Sequence, residues 1–215
     1  MPLLFVGLLG LLILAAARSK PTVAPSSSGC SPQDPQAFLI RSNYIHDANA
    51  AKAAIDYRTA QYGYVQGFGD ASLNPYPPSH YAVATTFFGL PVTLHAKIVP
   101  WLQCVEAELR ATCGSSYQPK HLSGLRVKNT FHGGSEVSNH LYGIAIDIDP
   151  SDNPCCGCVP PWNDNPRCKQ PSSSEYDRMA MPECWVHVFE KYGFYWLGHD
   201  PDLRDQMHFE FLGVP

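Results

Sequence analysis

Apolar and polar positions alternate most regularly near residue 146, where Ile144, Ile146 and Ile148 interleave with Ala145, Asp147 and Asp149. Successive side chains of a strand point to opposite faces, so this spacing predicts a strand with one apolar face and two acids on the other. MHFEF repeats the pattern, with Met207, Phe209 and Phe211 alternating with His208 and Glu210. Strands are predicted at Phe194 to Trp196 and Met207 to Leu212, flanking the loop LGHDPDLRDQ, and another around Leu122 to Val127.

A longer period marks the helices. HDANAAKAAIDYRTAQYG, from His46, is made of helix formers and stops at Gly63. In residues 92 to 114, Val92, Ile98, Leu102, Val105 and Leu109 fall near a helical period, with Glu106 and Arg110 four apart on the outer face. Pro100 either kinks that helix or marks a late start, because it lacks a backbone donor. His95 in this stretch reads as a packed or surface histidine. PECWVHVFEKYG is amphipathic, with Pro182 at its start and Gly193 at its end. The class implied is α+β, a small, mainly antiparallel sheet with helices packed on one side.

Composition narrows the picture. A chain of 215 residues, 45% hydrophobic and 16% charged, suits a globular domain with a substantial core. The net charge of -4 and the scatter of its 15 Lys and Arg residues supply no basic face, which argues against nucleic acid as a partner. No oligomer is implied.

The first residues, MPLLFVGLLGLLILAAARSK, form an apolar run ending in Ala15, Ala16 and Ala17, as a secretory signal ends at a small-residue cleavage site. Residues 1–17 are therefore read as a signal peptide, and the chain as secreted, periplasmic or held at the cell envelope. An uncleaved anchor is the alternative, and no other membrane contact is expected. Residues 18–38 read as a flexible Pro/Ser linker, 39–84 as a helical and loop segment on the core, and 85–215 as the core, with a Cys-rich insertion at 150–174.

Eight cysteines in an exported chain favour disulfides of open connectivity. CCGCVPPWNDNPRC could hold a structural metal instead, but it lacks the paired CxxC knuckles of zinc modules.

The acids on the predicted strand need a partner, because burying a bare carboxylate is costly. A divalent cation supplies one, and His140, Asp147 and His208 are the candidate ligands. Two imidazoles and one carboxylate leave a coordination position for water, as in catalytic rather than structural zinc sites. Asp205, three residues before His208, is the candidate base that would take the water's proton. Glu210 is the reserve, or an acceptor that steadies a histidine ring.

Ser138, His140, Gly143, Ala145 and Asp147 spell SxHxxGxAxD, and DQMHFEF closes the pattern. These strings, with GLR at Gly124 to Arg126 and FEKYGFYW, resemble the D-alanyl-D-alanine carboxypeptidase family of zinc peptidases. That family takes in vancomycin-resistance dipeptidases, cell-wall carboxypeptidases and phage L-alanyl-D-glutamate endopeptidases. The resemblance covers roughly residues 85 to 215 and implies a Hedgehog/DD-peptidase-like fold, one Zn2+ ion on His140, Asp147 and His208, Asp205 as general base, and Arg126 as a substrate or oxyanion ligand. It also implies peptidoglycan stem peptides as substrate. Carboxypeptidases and dipeptidases of the family commonly carry glutamate as the base; the aspartate resembles the endopeptidase branch. Ser138 belongs to the motif, and His132 and His199 lie in loops where they could line the cleft.

Three other readings compete: a catalytically silent relative that binds wall peptide or protein, a calcium loop built from Asp147, Asp149 and Asp152, and a non-haem iron triad.

Overall fold

The computed structural model describes residues 29–131 and 136–215. The expected signal peptide, and His132, lie outside the described residues. Among the described residues no helix is long and apolar enough to cross a membrane.

The chain is α+β, with two small antiparallel sheets rather than one among the described residues. Helix α1 (Arg41–Tyr44) leads into α2 (Ala48–Tyr62), whose start is capped by the Asp47 carboxylate accepting from the Asn49 and Ala50 amides. Strands β1 (Ala82–Phe87) and β2 (Leu90–His95) form a hairpin. Helix α3 (Val99–Thr112) follows, and then β3 (Leu122–Ser123) and β4 (Ala145–Ile148). After the short α4 (Pro166–Lys169) come α5 (Glu183–Lys191), β5 (Phe194–Trp196) and β6 (His208–Phe211). The second sheet runs in the order β3-β4-β6-β5.

Three expectations change. Val92 to His95 is strand rather than the start of a helix, and α3 begins only at Val99. Pro100 thus lies in the first helical turn, where its missing N–H costs nothing, and His95 precedes the helix as a buried residue whose Nδ1 accepts from the Lys97 amide. The strand expected over Leu122 to Val127 stops at Ser123, because the Leu125 N–H turns away to the Thr93 carbonyl. The linker ends before residue 38. Cys30 is bonded to Cys104, and the amides of Gln33 and Gln36 donate to the carbonyls of Lys191 and Leu212.

The apolar faces foreseen from alternation meet in one core. Ile144, Ile146 and Ile148 are buried with Phe209 and Phe211 beneath α3 and α5, and the Phe189 ring stacks on Phe209 at 4.0 Å. Each such side chain withdrawn from water contributes about 1.5–3 kcal/mol, which holds β4 and β6 in register while their polar faces look the other way.

All eight cysteines are paired: Cys30–Cys104, Cys113–Cys184, Cys155–Cys158 and Cys156–Cys168. Both bridges of the Cys-rich insertion close within it. This answers the question left open by CCGCVPPWNDNPRC in favour of disulfides.

Candidate metal centre

Register brings the site together. Asp147 on β4 stands directly opposite His208 on β6, and Glu210 lies two residues further along the same face of β6. His140 arrives from a turn before β4. The Ser138 carbonyl accepts from the Leu141 N–H and the Ser138 hydroxyl from the His140 N–H, so Ser138 shapes that turn from a buried position.

The result is a buried trio. His140 Nε2 lies 3.0 Å from Asp147 Oδ1 and 3.2 Å from His208 Nδ1, and His208 Nδ1 lies 2.9 Å from Asp147 Oδ1. In a tetrahedral zinc site with bonds of about 2.0–2.1 Å, ligand atoms stand about 3.3–3.4 Å apart, so the spacing fits one small cation.

Proton positions strengthen this fit. The carbonyl oxygen of Gly124 can only accept, so His140 Nδ1, 2.6 Å from it, must carry the ring hydrogen. Nε2 then presents a lone pair to a carboxylate oxygen, an acceptor facing an acceptor across 3.0 Å. Burial keeps His140 below its ordinary pKa and hence neutral. Such a contact is repulsive unless something positive sits beside it.

His208 is tied differently. Its Nε2 faces Glu210 Oε2 at 3.3 Å, leaving Nδ1 for the trio. Burial opposes a charge on this ring, but Asp147 and Glu210 outweigh it and push the imidazolium up to about 10. Burial likewise opposes ionisation of Asp147, and the two histidines nonetheless hold its carboxyl well below the usual carboxylate range. A cation entering the trio must displace the Nδ1 proton of His208, while Nε2–H remains on Glu210.

Sequence reasoning missed two contributors. Asn139 Nδ2 donates to Glu210 Oε2 at 2.6 Å and so fixes the carboxylate that fixes His208. Nothing in the pattern distinguishes Asn139 from an ordinary turn residue. The Gly124 carbonyl orients His140, and a side chain at Gly124 would meet the Thr93 carbonyl oxygen at 2.3 Å. The glycine of GLR was visible, but its function depends on the approach of β2.

Arg126 Nη2 donates to Asp147 Oδ2, and Ser123 Oγ accepts from Nε and Nη2. The guanidinium thus occupies the oxygen of Asp147 that faces away from the trio. Asp205 is half-buried in the turn before β6, and its Oδ1 has no partner among the described residues. Burial pushes its carboxyl up to about 7; His208 and Arg126 oppose that rise, and Asp147 adds to it.

His199 is engaged elsewhere, with Nδ1 3.0 Å from Glu175 and Nε2 2.9 Å from Glu190. Asp149 accepts from the Lys120 and His121 amides and the Tyr117 hydroxyl, and Asp152 pairs with Lys120. The Asp149 oxygens that a calcium loop would use are therefore engaged by the protein's own donors.

Residues 132–211 match the family model described as D-alanyl-D-alanine carboxypeptidase. The matched stretch contains His140, Asp147, Asp205, His208 and Glu210, and Arg126 precedes it. No curated protein and no solved structure matches the chain. The match supports the resemblance to that peptidase family, and the buried trio gives it a place for the metal such chemistry uses.

Proposed function

We propose that the protein is an exported zinc metallopeptidase that hydrolyses amide bonds in peptidoglycan stem peptides, as a D-alanyl-D-alanine carboxypeptidase or an L-alanyl-D-glutamate endopeptidase. The observation that carries this reading is the facing of unprotonated His140 Nε2 and Asp147 Oδ1 beside His208 Nδ1. His140, Asp147 and His208 would hold one Zn2+ ion. When bound, zinc lowers the pKa of water toward about 7 and polarises a carbonyl oxygen.

The protein's own groups do the rest. Asp205, with a carboxyl poised near neutrality, takes a proton from the attacking water and returns it to the leaving amine. The Gly124 carbonyl keeps His140 in the tautomer that aims a lone pair inward, and Glu210 holds Nε2–H of His208, so that Nδ1 is the nitrogen that would give up its proton to an ion. Arg126 retains Nη1, which has no hydrogen-bond partner among the described residues, as a donor for a substrate carboxylate or developing oxyanion. Four disulfides suit an oxidising compartment and support export.

The test is digestion of purified muropeptides with the zinc-loaded chain and with Asp205→Ala, with products read by mass. Release of a terminal D-alanine marks the carboxypeptidase; a cut between L-alanine and D-glutamate marks the endopeptidase. No product from a zinc-loaded wild type would overturn the peptidase and favour a silent relative that only binds.

A further inference from the structure

The Cys-rich insertion does more than decorate the surface. Its turn Cys155-Cys156-Gly157-Cys158 is laid against residues 202–206, the segment that carries Asp205. Cys155 and Asp205 form a β-bridge, the Cys156 N–H donates to the Arg204 carbonyl at 3.1 Å, the Gly157 N–H to Leu203 at 2.7 Å, and the Gln206 N–H to Pro154 at 3.1 Å. The approach is so close that a Cβ on Gly157 would sit 1.8 Å from the Asp202 carbonyl oxygen. Backbone hydrogen bonds and the Cys156–Cys168 bridge therefore hold this turn in place independently of the Cys155–Cys158 bond.

Both sulfurs of that bond and a carboxylate oxygen of Asp205 lie within 4.8 Å of one another. We propose that Cys155, Cys158 and Asp205 form a second, thiol-gated cation site that switches off the candidate base. The regulatory part of this rests on Asp205 acting as base; the cation site itself does not.

While the bond is intact the sulfurs carry no charge, and Asp205 is free for proton transfer. A dithiol reductant breaks the S–S bond, two S–H bonds form, and the dithiol is oxidised to its own disulfide. Two thiols at C-x2-C spacing, with α-carbons 5.4 Å apart, then stand beside a carboxylate oxygen. A soft-ligand-seeking divalent cation displaces both thiol protons and takes two sulfurs and one oxygen, with water in the fourth position. The cation also neutralises what would otherwise be three crowded negative groups. Its bond to Asp205 withdraws the carboxylate from proton transfer.

This bridge is the one that mild reduction opens. It closes the shortest loop, with a sequence separation of 3 against 12, 71 and 74, so it gains least from chain entropy. Cys158 is partly open to an attacking thiolate, as is at least one cysteine of each other bridge, so it is the short loop that singles this bond out.

The experiment titrates the full chain with a phosphine reductant, traps free thiols by alkylation with peptide mapping, and follows Co2+ uptake and muropeptide hydrolysis in parallel. The oxidised chain is expected to bind one equivalent of cobalt without a thiolate-to-cobalt charge-transfer band. Mild reduction should label Cys155 and Cys158 first, add a second equivalent with that band, and lower hydrolysis by about 10²-fold or more, the contribution of a general base. Reoxidation should reverse all three. In the double variant Cys155→Ser/Cys158→Ser the second equivalent and the band are absent, and hydrolysis ignores the reductant and cobalt together. Labelling of another pair first, or a second equivalent without the band, overturns the proposal. A chain without hydrolytic activity that still shows the reductant-dependent band sinks the peptidase and leaves the site standing.

Discussion

Two of the groupings of histidine with carboxylate among the described residues are built on opposite principles. Around His199 each ring nitrogen has its own acid, Glu175 or Glu190, so a doubly protonated imidazolium satisfies every contact and keeps no lone pair. Around Asp147 there are two rings for one acid, and the outer nitrogen of each ring is already committed, to Gly124 or Glu210. The inner atoms then have fewer protons than contacts. A metal-competent cluster differs from an ion-pair cluster less in residue types than in where the second nitrogen of each histidine is spent.

The sharpest way to break this contrast is to remove the acid at the centre of the trio. Asp147→Ala should abolish stoichiometric zinc binding in equilibrium dialysis with metal analysis, while His199→Gln should retain it. Equal loss from both would erase the distinction. Next, Asp205→Ala should keep zinc and lose about 10²–10⁴-fold in kcat; loss of metal along with rate would make Asp205 a ligand rather than a base. Glu210→Gln tests the outer tether of His208 and should weaken zinc affinity by about 10–100-fold in competition with a chelator.

The smallest effect belongs to the ion-pair cluster. Glu190 hydrogen-bonding, aided by Glu175, raises the His199 pKa to about 9 against the opposing effect of burial; the free side chain titrates near about 6.5. The stabilisation is therefore complete below the lower value and lost as pH climbs through the higher one. The imidazole is a quarter exposed, 25%, which screens the pair. Wild type should exceed His199→Gln in Tm by about 2–4 °C near pH 6, corresponding to on the order of 1 kcal/mol, and the gap should close by pH 10. A pH-independent gap would mean that the ring only packs.

How much of this was readable in the chain follows from the range of the forces involved. Alternation is local, so the polar faces carrying Asp147 and His208 could be foreseen; that the two residues stand opposite one another is a matter of register, which the packing of Ile146 and Phe209 decides across 60 intervening residues. The short run from Val92 to His95 fits a helical period as well as a strand's, and pairing with β1 arbitrates. The cysteine partners, the Gly124 carbonyl and Asn139 depend on contacts between distant segments, which no spacing records.

For the ion proposed at the trio, Arg126 would bear on which cation is preferred. With Oδ2 of Asp147 engaged by the guanidinium, that acid can offer a cation one oxygen and cannot chelate it with both. Large, hard ions that gather six to eight oxygens find a nitrogen-rich and cramped set of donors here, whereas a small ion content with four partners does not miss the second oxygen. In the proposed zinc site the arginine would thus act as a selectivity filter placed on the far side of the ligand it constrains.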